Sequence, residues 1–140
     1  GREEENYLHL GEGQKQLCLF ARTLASSGAL LLLDEPESAL DFRYRYQMLA
    51  LLQAWTREKG RAALVTLHDA SLALNCCDRL VVLAGGKVRA VLAPQTDPLA
   101  SMEEHLSAVY GQVSLQWCTT RSGKPQLVML KEPETEGEPV

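Results

Sequence analysis

Apolar and polar positions in the first half of the chain predict helices that alternate with short buried strands. Residues 15–25 repeat apolar side chains at helical spacing, after a polar, glycine-bearing stretch that we expect to be a loop. Residues 29–33 and 62–67 are apolar at nearly every position, as in strands that a parallel sheet buries on both faces. Between them, residues 42–58 predict a helix with Asp41 as its cap and an apolar stripe of Phe42, Tyr46, Leu49, Leu52 and Trp55. This order of elements predicts an α/β domain built on a parallel sheet.

The second half of the chain has shorter periodic segments. They predict a helix capped by Asp69 that ends near Cys76, a hairpin about Gly85-Gly86, a helix over residues 102–110 and strand-like pieces over residues 113–130. We expect one domain over residues 1–130. The acidic, proline-bearing residues 131–140 predict a disordered tail.

Composition places the chain among ordinary soluble globular domains. It has 140 residues, of which 46% are hydrophobic and 23% charged. Its net charge of −4 gives no basic excess, so nothing in the overall charge points to nucleic acid. No apolar run is longer than the five residues of 29–33, far fewer than the roughly 20 residues that span a bilayer.

Cysteine spacing and the first residues bear on the compartment. The four cysteines form no C-x-x-C pair, so we expect reduced thiols and a cytoplasmic location. The chain opens on Gly1-Arg2 without a signal peptide, and we expect this start to be a cut within a longer protein.

Acidic and imidazole side chains follow both buried strands. Asp34-Glu35 ends the first and His68-Asp69 the second, at the sheet edge where α/β folds bind ligands. A carboxylate there suits Mg²⁺, which takes oxygen ligands and keeps several waters, and a second carboxylate can orient or deprotonate a water. Taken alone, Asp34-Glu35-Pro36 is equally compatible with a solvated turn, and an isolated histidine is more often structural.

The context of these residues resembles the ATP-binding cassette (ABC) ATPases. The stretch LLLLDEPESALD over residues 30–41, followed by Leu67-His68-Asp69, is similar to the Walker B motif, D-loop and switch histidine of that family. Counting back without gaps, Leu10-Gly11-Glu12-Gly13-Gln14 stands where the family has its L-S-G-G-Q signature. The four motifs in this order make the resemblance specific.

The resemblance implies a role for each matching residue. Asp34 would lie near Mg²⁺, Glu35 would polarise the hydrolytic water and His68 would contact the γ-phosphate. The D-loop, with Ser38 and Asp41, would meet an opposing subunit. The signature residues that would close over ATP held by that subunit are Gly11, Glu12, Gly13 and Gln14.

The signature departs from the family pattern at two positions. Gly11 replaces its serine and Glu12 replaces a glycine, which brings negative charge towards the phosphates. We adopt the ungapped alignment. A register shifted by a two-residue insertion, with His9 in place of the serine, stays open.

The chain has no G-x-x-x-x-G-K-[ST] motif. Its Gly-Lys pairs, Gly86-Lys87 and Gly123-Lys124, lack the spaced glycine and the following Ser or Thr. The chain is therefore similar to the second half of a cassette, a partial P-loop NTPase-type α/β sheet with flanking helices and no Walker A half. We expect this chain alone not to hydrolyse ATP.

The resemblance implies an ATP-binding subunit of an ABC transporter. Such a subunit uses ATP and Mg²⁺, pairs with a second ABC ATPase subunit and sits at the inner face of the cell membrane through a permease. The segment LSAVYG over residues 106–111 is similar to the tail of ATPases that serve vitamin B12 and iron-siderophore importers. A non-transport ABC ATPase and a non-catalytic half-cassette interaction module are the alternatives.

Overall fold

The computed structural model describes the backbone of residues 2–134 and the side chains of residues 12–134. Contacts divide the chain into two compact units, Gly1–Asp69 and Ala70–Val140. The elements of the first unit are α1 (Arg2–Ser26), β1 (Leu30–Asp34), α2 (Phe42–Thr56) and β2 (Ala62–Thr66). Those of the second are α3 (Ala70–Cys76), β3 (Leu80–Ala84), β4 (Lys87–Leu92), α4 (Leu99–Tyr110), β5 (Val113–Thr119) and β6 (Pro125–Lys131). The α/β class predicted from the sequence is confirmed.

Strands β1 and β2 form a parallel pair, as their apolar runs predict. The register runs from Leu30 opposite Ala62 to Asp34 opposite Thr66. Because parallel strands end at the same edge of a sheet, this register brings Asp34 and the residues after Thr66 together.

Helix α2 begins at the predicted cap. The Tyr44 main-chain N–H donates to Asp41 Oδ1 at 3.2 Å. The helix ends at Thr56, two residues before the predicted end. Its buried side chains are Tyr44, Met48, Leu49, Leu52 and Trp55. The predicted stripe was wrong at its first turn, where Phe42 is exposed and its ring lies 5.1 Å from that of Tyr46.

Helix α1 differs most from the sequence prediction. A single helix, Arg2–Ser26, contains the segment 1–14 that we expected to be a loop, apart from Gly1. The segment has no proline and contains four Glu and two Leu, and these good helix formers outweigh a cost of about 1 kcal/mol for each glycine. At Gly13 the absent side chain also allows close packing, because an added Cβ would overlap the Tyr44 ring.

The parallel pair is covered on one face. Leu31 packs with Leu24 of α1 and with Leu52 and Trp55 of α2. Leu30, Leu32 and Leu64 on the other face are 63%, 67% and 57% exposed. The prediction that both faces are covered therefore holds for one face of the described residues, because both helices pack on the same side.

The second unit has its own hydrophobic core between two hairpins and α4. The β3–β4 hairpin turns at Gly85 and Gly86, whose positive φ values of 60° and 74° suit glycine. The buried side chains of this core are Leu74, Val82, Leu92, Met102, Leu106, Val113, Leu115 and Leu127. The hairpin prediction is confirmed, and α4 begins three residues before its predicted start.

The predicted tail begins inside this second unit. Strand β6 extends to Lys131, Ser114 Oγ donates to Glu132, and Lys131 pairs with Glu134. Residues 131–134 are therefore held by these contacts, whereas residues 135–140 lie outside the described residues.

Candidate functional site

The carboxyl ends of β1 and β2 are joined through one hydroxyl group. Thr66 Oγ1 donates to Asp34 Oδ1 at 2.5 Å. The Glu35 main-chain N–H donates to both Thr66 O at 3.0 Å and Thr66 Oγ1 at 2.9 Å. The hydroxyl therefore fixes the Asp34 carboxylate and the main chain of the next residue together.

The chain turns sharply at Glu35. Its φ of 46° is the one positive value among the non-glycine residues that the structure describes. A side chain in this left-handed region costs roughly 1 kcal/mol, and such residues concentrate at functional sites. Ser38 closes the turn, because its N–H and its hydroxyl both donate to Glu35 O, at 3.2 Å and 3.0 Å.

The turn brings Glu35 to His68. Glu35 Oε1 lies 2.7 Å from His68 Nε2, and the two side chains are 41% and 74% exposed. A carboxylate beside an imidazole, both open to solvent, can orient a water and contact an anionic ligand. The structure thus gathers Asp34, Glu35 and His68, the three residues that the sequence proposed for metal and catalytic roles.

Glu37 is a site neighbour that the sequence did not single out. Its side chain is 1% exposed, and Oε2 accepts a hydrogen bond from the His68 main-chain N–H at 3.2 Å. A glutamate in a turn after a strand ordinarily faces solvent. No local pattern signals the burial, which depends on a residue 31 positions away.

A cleft of about 360 Å³ opens beside these residues. Its lining comprises Glu37, Ser38, Arg45, His68 and Asp69. Arg45 Nη1 lies 3.8 Å from Asp69 Oδ2, and Arg45 Nε donates to Leu40 O at 2.7 Å. One wall of the cleft therefore carries the Arg45 guanidinium, which is held by its place in α2 and by the Leu40 carbonyl.

The remaining predicted site residues lie on two segments of the first unit. Ser38 is exposed and closes the Glu35 turn, while Asp41 is exposed and caps α2. Gly11, Glu12, Gly13 and Gln14 lie within α1, where Glu12 and Gln14 are exposed and Gly13 is buried against Tyr44. The roles of all six residues in nucleotide binding stay predictions from the resemblance.

The donors at the strand ends fit Mg²⁺. Mg²⁺ is usually held by one or two carboxylates together with waters and substrate phosphates. Asp34 is exposed at the end of β1, with one carboxylate oxygen oriented by Thr66. Among the described residues no group of three or more His, Cys, Asp or Glu side chains is arranged for a metal ion. One exposed carboxylate is within the number that Mg²⁺ usually takes from a protein.

Cys77 is not a reactive thiol at neutral pH. Burial, with smaller contributions from Cys76 and Asp78, raises the pKa of Cys77 to about 11. A thiol with such a pKa stays protonated and unreactive at neutral pH. None of the four cysteines forms a disulfide in the structure.

Part of the chain matches a protein-family model. Residues 1–75 match the family described as "AAA domain, putative AbiEii toxin, Type IV TA system". This segment contains residues 10–14, which resemble the signature, both parallel strands, Glu35 and His68. None of the helices in the described part of the chain is long and apolar enough to cross a membrane.

Curated relatives are ATP-binding proteins of transporters. The hemin import ATP-binding protein of Bordetella pertussis is 38% identical over 116 residues, which are 77% of this chain and 43% of that protein. The cobalamin import ATP-binding protein of Halobacterium salinarum is 39% identical over 93 residues, 62% and 23% of the two chains. An uncharacterized ABC transporter ATP-binding protein of Methanocaldococcus jannaschii is 37% identical over 92 residues, 66% and 32% of the two chains. The chain thus spans less than half the length of each.

Proposed function

Because this chain belongs to the AAA domain family of P-loop ATPases, we propose that it provides the hydrolytic half of an ABC transporter ATP-binding subunit. The resemblance to ABC ATPases seen in the sequence motifs is confirmed by the relatives. The observation that carries the proposal is the junction of Asp34, Glu35 and His68, with Glu35 Oε1 2.7 Å from His68 Nε2.

The chemistry of phosphoryl transfer suits these groups. It depends on positioning and on electrostatic stabilisation more than on covalent chemistry by the protein. Glu35 would accept a hydrogen bond from the attacking water and orient it towards the γ-phosphate. His68 would donate to a phosphate oxygen. Asp34 would hold Mg²⁺, which when bound neutralises charge on the phosphate oxygens.

The complete site is expected to need a second subunit. Family resemblance assigns the contact across the dimer to the D-loop, with Ser38 and Asp41, and to the signature residues 11–14. In a complete protein, a Walker A segment outside this chain would hold the β- and γ-phosphates of ATP. Membrane permease subunits would respond to the conformational change that accompanies ATP hydrolysis. We therefore propose that the protein lies in the cytoplasm, at the inner face of the cell membrane.

Import of a metal chelate is the transport that we propose. Two of the relatives are named for the import of hemin and of cobalamin. The segment 106–111, which resembles the tail of vitamin B12 and iron-siderophore ATPases, ends α4 at Tyr110 and turns at Gly111 with a φ of 77°. Both features favour the subgroup that imports large chelated metal ions.

Glu35→Gln in the full-length protein tests the proposal. The substitution removes the carboxylate and keeps the side-chain size, so ATP binding should persist while kcat falls by roughly 10² to 10⁴. Glu104→Gln makes the same chemical change at an exposed position of α4 and serves as the control. A Glu35→Gln protein with a near-normal kcat would show that another group activates the water.

A further inference from the structure

Glu37 is the one charged side chain buried in the described part of the chain. Oε2 accepts from the His68 main-chain N–H at 3.2 Å, and Oε1 is buried with no hydrogen-bond partner among the described atoms. An unsatisfied buried carboxylate oxygen destabilises a fold, and each such group needs an explanation. A functional role for the other carboxylate oxygen, Oε2, is such an explanation.

The side chains of the proposed reacting groups are not fixed by their own packing. The side chains of Glu35 and His68 are 41% and 74% exposed, so few packing contacts restrict their rotation. Their separation of 2.7 Å therefore depends on how the two main-chain segments are anchored.

Hydrogen bonds hold the main chain both at Glu35 and at His68. The Glu35 N–H donates to Thr66 on one side of the junction. On the other side, the Glu37 carboxylate accepts a hydrogen bond from the main-chain N–H of His68. The Glu37 carboxylate is the buried anchor, and it acts on the residue that carries the imidazole.

We propose that Glu37 is a positioning residue, which sets the imidazole of His68 against Glu35 by binding the His68 main-chain N–H. This proposal rests on the function proposed above. Glu37 does not touch the reacting atoms, so length and hydrogen-bonding capacity of its side chain should matter more than its charge.

Two substitutions in the full-length protein separate length from charge. Glu37→Gln keeps the length and an acceptor oxygen but loses the charge. Glu37→Asp keeps the charge but withdraws the carboxylate by roughly 1.5 Å, out of reach of the His68 N–H. We expect Glu37→Gln to stay within about twofold of the wild-type kcat, and Glu37→Asp to lose roughly 10- to 100-fold with little change in KM for ATP.

A matched control is available in the second unit. Glu103 Oε2 accepts from the Leu115 main-chain N–H at 2.7 Å, which is the same type of bond. Glu103→Asp should lower the Tm and leave kcat unchanged. Hydrogen exchange at the His68 amide gives a readout independent of activity, because it should accelerate in Glu37→Asp and stay slow in Glu37→Gln.

The outcomes distinguish the two proposals. Equal kcat in both Glu37 variants, or a greater loss in Glu37→Gln, would overturn the positioning role. So would an unchanged exchange rate of the His68 amide in Glu37→Asp. Failure of Glu35→Gln to stop hydrolysis would instead overturn the proposed function, and the exchange experiment would still report whether Glu37 anchors His68.

Discussion

Asn75 offers a direct test of how the second unit is held together. This residue lies near the end of α3, and its side chain takes the place of a strand neighbour for Leu127 of β6. Oδ1 accepts from the Leu127 N–H at 2.8 Å, and Nδ2 donates to Leu127 O at 3.0 Å and to Ser71 O at 2.9 Å. Leu127 is almost completely buried, so water cannot replace these bonds.

Asn75→Leu keeps the approximate size of the side chain and removes both bonds to Leu127. Each buried main-chain group left without a partner costs about 1 to 3 kcal/mol. The bond to Ser71 lies at an exposed position and adds little. For the two groups of Leu127 together, we expect the free energy of unfolding to fall by about 2 to 6 kcal/mol, a large part of the 5 to 15 kcal/mol of a typical domain.

Urea denaturation and hydrogen exchange measure this loss. The Leu127 amide should lose protection in Asn75→Leu, whereas in Asn75→Asp it keeps its acceptor and the fall in stability should be smaller. Gln116→Leu removes an amide at an exposed position of β5 and serves as the control. An unfolding free energy equal to that of the wild type, with Leu127 still protected, would refute the bridging role.

Three further measurements test other features. Because burial raises the pKa of Cys77 to about 11, iodoacetamide at neutral pH should label the exposed Cys118 faster than Cys77. Mass spectrometry that shows faster labelling of Cys77 would contradict this. Hydrogen bonding by Lys131 lowers the pKa of Glu134 from its ordinary value of 4.5. The contribution of Glu134 to stability should therefore be present above pH 4.5 and vanish as the pH falls through the lowered pKa. Glu134→Gln should flatten the pH dependence of Tm in that acidic range. Replacing Gly11-Glu12 by Ser-Gly in the full-length protein should raise ATPase activity by removing negative charge near the phosphates, and a fall in activity would favour the shifted register.

Local signals predicted much of the fold. A run of apolar residues that stops at Asp34-Glu35-Pro36 indicates where a buried strand ends, and Asp41 marks the next helix start. The Gly85-Gly86 pair indicates a turn because both positions need positive φ. That the ends of β1 and β2 lie side by side also followed from the sequence, since parallel strands end at a common edge.

Features that depend on distant partners escaped prediction. The glycines near residue 12 suggested a loop, but packing of Gly13 against Tyr44 and good helix formers keep the segment in α1. The burial of Glu37 depends on the main chain of His68, which has no signature in the neighbouring sequence. We expected both faces of the sheet to be buried because its strands are apolar. The exposure of Leu30 and Leu32 depends instead on where α1 and α2 pack.

The contact between Gly13 and Tyr44 ties the position of α1 to the start of α2. Tyr44 lies in the first turn of α2, and its N–H donates to Asp41, the cap of that helix. Because the backbone at Gly13 lies directly against the aromatic ring, a methyl group there would overlap the ring. We therefore expect Gly13→Ala to move the two helices apart at this point, so that glycine sets how closely α1 and α2 pack.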